Sequence, residues 1–181
     1  MIHLNQKIKF RSAELTPGTG RTIFGIAVPY GQVTEIDEFG SQFLERFEYG
    51  AFAKSIAERG HKVKLLTSHN SRTLALGKAV DLREQQDGLH ASFEVAETRD
   101  GDEALALVRS GTVDSFSVGF SVVRERWDGE VRTVTEAILR EVSLVNFPAY
   151  QGAVVGGVRS AAHSLVIPRS VAQAWIDLLN W

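Results

Sequence analysis

Two Asp-Gly pairs constrain this chain most. Asp87-Gly88 and Asp128-Gly129 each separate runs in which apolar and polar residues alternate. Asp-Gly supplies the backbone that tight hairpin turns demand, so each pair predicts two antiparallel strands joined end to end. Residues 75–82 and 89–95 flank the first pair; residues 115–126 and 131–147 flank the second. Further strands are expected over residues 7–13, which carry Ile8 and Phe10, over 21–29, and over 63–66. The turn cluster Thr16-Pro17-Gly18-Thr19-Gly20 joins the first two of these into a hairpin or meander. Residues 30–50 show no clear period.

Only two segments before residue 150 read as helices. Phe52 and Ile56 make one apolar stripe, and Gly60 supplies its stop. Ala104, Leu105, Leu107 and Val108 make the other, ended by Gly111. Strands and helices do not alternate as a parallel sheet requires. The expected fold class is α+β, mainly β: an antiparallel, closed or nearly closed barrel flanked by short helices. Residues 1–150 form its domain. Residues 151–169, rich in Gly, Ala, Val and Ser, read as a flexible linker. Residues 170–181 read as a short helix, opened by the capping pattern Ser170-Val171-Ala172-Gln173 and bearing Val171, Trp175, Leu178 and Leu179 on one face.

Composition removes several chemistries. The chain has no cysteine, which excludes disulfides, zinc-thiolate centres and a cysteine nucleophile. Its formal charge of −2 argues against nucleic-acid binding. No stretch reaches the roughly 18 apolar residues of a membrane span, and the N-terminal residues hold no signal-peptide run. His3, His61, His69, His90 and His163 lack metal-ligand spacing, so no metal or cofactor is expected.

Three segments carry the remaining chemistry. Ser115-Phe116-Ser117-Val118-Gly119-Phe120 places Ser115, Ser117, Gly119 and Ser121 on one strand face. That pattern also describes an ordinary amphipathic strand with small polar residues toward water. His69 ends Leu65-Leu66-Thr67-Ser68-His69-Asn70. Glu141 lies in Arg140-Glu141-Val142-Ser143-Leu144-Val145. A charge in a central strand needs a partner, and a histidine N–H would serve. On an edge strand Glu141 would simply be solvated.

The ordered series of motifs resembles the prohead (capsid maturation) serine proteases of tailed bacteriophages, related in fold to herpesvirus assembly proteases. The resemblance runs from about Ile23 to Ala149. It rests on the three segments above together with Glu48-Tyr49-Gly50-Ala51-Phe52, Leu76-Gly77-Lys78, Asp87-Gly88-Leu89 and Asn146-Phe147-Pro148-Ala149. It implies Ser117 as nucleophile, His69 as general base and Glu141 as the third member, where the herpesvirus relatives look to have a second histidine. Ser115 is the fallback nucleophile. The paired arginines of the herpesvirus relatives are absent; Pro148-Ala149-Tyr150 stands there.

The resemblance further implies cleavage of scaffold and major capsid protein segments, and self-cleavage, inside the immature capsid in the host cytoplasm. Residues 156–162 are the expected self-processing region, and the herpesvirus relatives imply a homodimer or higher oligomer. A non-catalytic β-barrel that binds capsid or scaffold protein is the alternative from another class. An esterase-type acyl hydrolase is the third reading, against which the missing Gly-x-Ser-x-Gly elbow counts.

A register condition follows. With a two-residue turn at Asp128-Gly129, Ser117 falls opposite Arg140 and Glu141 points to the other face. A three-residue loop, Asp128 to Glu130, sets Ser117 opposite Glu141. A shared site therefore requires that longer loop or an equivalent bulge.

Overall fold

The structure, a computed structural model, describes residues 20–38, 41–150, 152–159 and 165–166. The strand expected over residues 7–13 and the helix over 170–181 lie outside them. The strands are β1 (Thr22–Pro29), β2 (Thr34–Glu38), β3 (Ser41–Phe47), β4 (Lys64–Thr67), β5 (Gly77–Gln85), β6 (Gly88–Val95), β7 (Ser115–Asp128), β8 (Val131–Val145), β9 (Val155–Arg159) and β10 (Leu165–Val166). The helices are α1 (Ala53–Arg59) and α2 (Arg99–Ser110). The strands form one sheet in the order β10-β9-β1-β6-β5-β4-β8-β3-β2, with β7 also on β8.

Both Asp-Gly hairpins form. Gln85 pairs with Gly88, and Asp128 pairs with Val131. In β6 the residues Leu89, Ala91, Phe93 and Val95 are all buried, as strict alternation requires. They face Phe116, Leu139, Val142 and the other apolar side chains of one continuous core.

Of the closed or nearly closed barrel expected from sequence, full closure is not formed: the strand order is an open path. The gap lies beside β7. There an isolated bridge joins Ser115 to Val154. It is supported by Phe116 N–H donating to the Ala153 carbonyl (3.1 Å) and Val155 N–H donating to the Asp114 carbonyl (2.8 Å). From Ser117 onward β7 pairs only with β8 among the described residues.

The sheet is not wholly antiparallel either. β3 and β4 both run parallel to β8, on Val131–Val134 and on Val142–Leu144. A parallel return needs a crossover, and α1 lies in it. Helix α1 also covers the stretch of β8 between these pairings. Ala137 N–H donates to the Ala51 carbonyl (2.8 Å), and Leu139 N–H donates to the buried Ser55 hydroxyl (2.9 Å). These two bonds satisfy the Ala137 and Leu139 amides where no neighbouring strand does.

The linker expectation is corrected for residues 155–159. They form β9 against β1, with Val155 and Val158 in the core. Gly156 lets this happen: a Cβ there would meet the Phe24 ring at 2.9 Å. Small residues that read as flexible in sequence here permit close strand packing. Helix α2 is capped as its sequence suggests. The Thr98 hydroxyl accepts from Gly101 N–H (3.1 Å), and Gly111 takes the left-handed conformation at φ 73°.

Candidate active site

Strand β4 delivers His69. It runs beside the end of β8, with Leu66 opposite Ser143 and Thr67 opposite Leu144. The chain then turns through Ser68 and His69, whose φ angles are 48° and 57°. Two adjacent non-glycine residues in the left-handed region cost roughly 1–2 kcal/mol each. Hydrogen bonds offset that cost. Ser68 N–H donates to the Leu144 carbonyl (3.0 Å), and His69 N–H donates to the Ser143 hydroxyl (2.9 Å). Asn70 N–H closes the turn onto the Thr67 carbonyl (2.9 Å).

Strands β7 and β8 deliver the other two residues, and the register condition is met by a bulge. The hairpin loop has only two residues, Gly129 and Glu130, so the three-residue loop is not formed. Arg140 is instead skipped in the ladder, between the pairs Gly119–Glu141 and Phe120–Leu139. This extra residue shifts the parity of everything beyond it. Ser117 falls opposite Ser143 rather than Glu141, and Glu141 falls opposite Gly119. All four share one face.

The three expected side chains meet. Ser117 Oγ lies 2.8 Å from His69 Nε2, and Glu141 Oε1 lies 2.6 Å from His69 Nδ1. A carboxylate can only accept, so the ring proton belongs on Nδ1. Nε2 is then free to accept the Ser117 hydroxyl proton. Glu141 holds the His69 imidazole above its ordinary titration range, through its hydrogen bond first and its charge as well; partial burial opposes the rise.

Gly119 explains the glycine in the motif. A Cβ there would lie 2.3 Å from Glu141 Oε1, so only glycine leaves room for the carboxylate. Ser115 is placed elsewhere. It is buried, opposite Val145, and its hydroxyl donates to Asp114 (2.8 Å). Ser121 accepts from Arg140 Nε (3.1 Å). Sequence reasoning missed Ser143. Its fully buried hydroxyl donates to Glu141 Oε2 at 2.7 Å. Its position two residues after Glu141 was the available signal, because that spacing returns to the same strand face.

A cleft of about 420 Å³ opens over this cluster, walled by Ser68, His69, Ser117 and the run Val145 to Ala149. Phe147 stands 91% exposed at its lip. The loop that bears it is anchored beyond by Tyr150, whose hydroxyl donates to the buried Glu45, itself paired with Arg132. A smaller hollow of about 210 Å³, near Ile56 and Leu82, contains none of the cluster. Among the described residues no group of three or more His, Asp or Glu side chains is placed to hold a metal ion. No helix among them is long and apolar enough to cross a membrane.

The model of the caudovirus prohead serine protease family matches residues 6–165. The chain belongs to that family. The prohead protease of Enterobacteria phage HK97 is 32% identical over 116 residues, covering 61% of this chain and 51% of that protein. The prohead protease of Escherichia phage T5 is 30% identical over 89 residues, covering 48% of this chain and 41% of that one. The chain thus spans about half the length of the curated relatives it matches, or less.

Solved structures that resemble it include a Kaposi's sarcoma herpesvirus (KSHV) protease in complex with a hexapeptide phosphonate inhibitor. Its TM-score is 0.47 at 10% identity, covering 74% of this chain and 63% of that one. The bacteriophage T4 capsid assembly protease has a TM-score of 0.43 at 14% identity, covering 70% and 98%.

Proposed function

We propose that this chain is a serine endopeptidase of phage prohead maturation, using Ser117, His69 and Glu141. One observation carries the reading: an unbroken hydrogen-bonded line from Ser117 through His69 to Glu141 at the floor of an open cleft.

The steps follow from that geometry. Ser117 Oγ attacks the peptide carbonyl carbon while His69 Nε2 takes its proton. Glu141 keeps the ring in the tautomer that can accept and stabilises the imidazolium that forms. General-base assistance of this kind contributes about 10²–10⁴ in rate. His69 then returns the proton to the leaving amine, giving an acyl-enzyme. Water, deprotonated by the same ring, hydrolyses the ester and restores Ser117. No metal or cofactor enters the reaction.

The substrates are segments of scaffold and major capsid protein inside the immature capsid, and the chain itself. An open cleft suits an extended peptide segment threaded across the serine. Subunits acting in the shell form dimers or higher oligomers.

The experiment is to add the cognate capsid and scaffold proteins to the native chain and to Ser117→Ala, and to map new termini by mass spectrometry. New termini with the native chain alone are expected. Identical termini from Ser117→Ala, or binding of both substrates with no cleavage, would sink the proposal; the latter result would favour the capsid-binding alternative.

A further inference from the structure

We infer that Ser143 is a positioning residue that sets His69 and Glu141 relative to Ser117. The inference rests on the reading of those three as the catalytic set.

A hydroxyl has one proton to give and lone pairs to receive. Ser143 uses both. Its proton goes to Glu141 Oε2 (2.7 Å), and its oxygen accepts His69 N–H (2.9 Å). The same residue sits directly opposite Ser117 in the β7–β8 ladder and opposite Leu66 in β4. Its side chain therefore ties the turn that bears the base to the carboxylate that orients it, and its backbone is paired with the strand that bears the nucleophile.

Its burial is complete, so water cannot replace it without rearrangement. An apolar side chain there would leave two polar partners unsatisfied: the His69 amide and the second carboxylate oxygen. The amide matters most, because His69 holds a left-handed backbone at φ 57° that is unfavourable without that bond. Glu141 is clamped from two sides. Gly119 leaves the space on which Oε1 rests, and Ser143 holds Oε2.

Loss of the hydroxyl has a directional consequence. A donor that stabilises the carboxylate makes it a weaker acceptor toward the imidazolium. Without Ser143's proton, Glu141 binds the protonated ring more strongly, and His69 titrates at higher pH. Glu141 is the charged group acting on the ring. Among the other charged side chains on these elements, Arg140 donates to Ser121 and Asp114 accepts from Ser115. Arg72 lies on the His69 loop, where its N–H donates to Asn70 Oδ1 (3.0 Å).

The test compares Ser143→Thr with Ser143→Val, which share shape and differ in the hydroxyl. Both chains are treated with a small fluorophosphonate: the serine oxygen bonds to phosphorus, the P–F bond breaks, fluoride leaves and the proton passes to His69. The labelling rate is followed against pH by intact mass. The His69 ring is titrated separately by NMR in the unlabelled proteins.

Ser143→Thr should label near the native rate with a native acid limb. Ser143→Val should label about tenfold to a hundredfold more slowly, as small misplacements of reacting groups do, with its acid limb and its His69 titration moved to higher pH. Equal rates and equal titrations in the two variants would overturn the inference. Failure of the native chain to label would refute the serine-nucleophile reading instead, and the NMR comparison would still decide the role of Ser143. If the added methyl group prevents folding, Ser143→Ala against the native chain gives the same comparison.

Discussion

The β7–β8 pair has two ends that obey the same ladder and do different things. At the outer end, exposed arginines form ion pairs: Arg124 with Glu136 at 3.3 Å, and Arg126 with Glu48 at 2.5 Å. At the inner end, Ser117, Glu141 and Ser143 converge with His69 at separations of 2.6–2.9 Å. The chemistry of the side chains is similar in polarity. The surroundings differ. The inner end is packed between β4 and the bridge at Val154, over Phe116, Val142 and Leu144. Arg124 and Arg126 stand 77% and 55% exposed. The inner side chains are held by one another in a continuous network, whereas exposed pairs are screened and contribute about 0–1 kcal/mol. Preorganisation belongs to the inner end alone.

That contrast can be broken most severely at Glu141. Glu141→Gln should lower the plateau rate of peptide cleavage by about 10²–10⁴, read in steady-state kinetics. The carboxylate raises the His69 pKa, so its loss should move the acid limb of the pH–rate profile to lower pH. The stability linkage has the same origin. The native His69–Glu141 pair stabilises the fold fully below about pH 6.5, the ring's ordinary value, and that contribution fades as pH rises through the raised folded-state pKa. Melting curves across that window should show the native chain losing more stability with rising pH than Glu141→Gln.

A smaller effect is expected at Gly119. Gly119→Ala puts a methyl group 2.3 Å from Glu141 Oε1 and must displace the carboxylate. Cleavage should slow by about tenfold to a hundredfold, with KM little changed. The outer end supplies the least effect. Arg126→Ala should leave cleavage at the native rate and alter stability by no more than about 1 kcal/mol, measured by urea unfolding. A large loss of activity from Arg126→Ala would erase the distinction between the two ends.

Ser117, His69 and Glu141 could be picked out of the sequence because each sits in its own short motif, whereas Ser143, two residues beyond Glu141, was passed over. Their register could not be read. In β8 the core residues are Val134, Ala137, Leu139, Val142 and Leu144, so strict alternation fails twice. Thr135 and Arg140 are the residues skipped in the ladder. Ile138 beside Leu139 hides the break, since both are apolar. The need for a bulge could be stated, but not its place. Strand β3 was missed for a related reason. Its buried Glu45 interrupts the apolar pattern, and the Arg132 and Tyr150 that make that burial tolerable lie far along the chain. Barrel closure was overestimated because alternation reveals a strand's faces and not its neighbours. Nothing local shows that β3 and β4 both run parallel to β8.

The most direct test of the central claim is to locate the reactive serine. The fluorophosphonate-labelled native chain is digested, and the peptide holding residues 115–121 is fragmented to place the adduct. A single adduct on Ser117, absent from Ser117→Ala and strongly reduced in His69→Ala, is predicted. An adduct on Ser115, or undiminished labelling of this peptide in Ser117→Ala, would contradict the account.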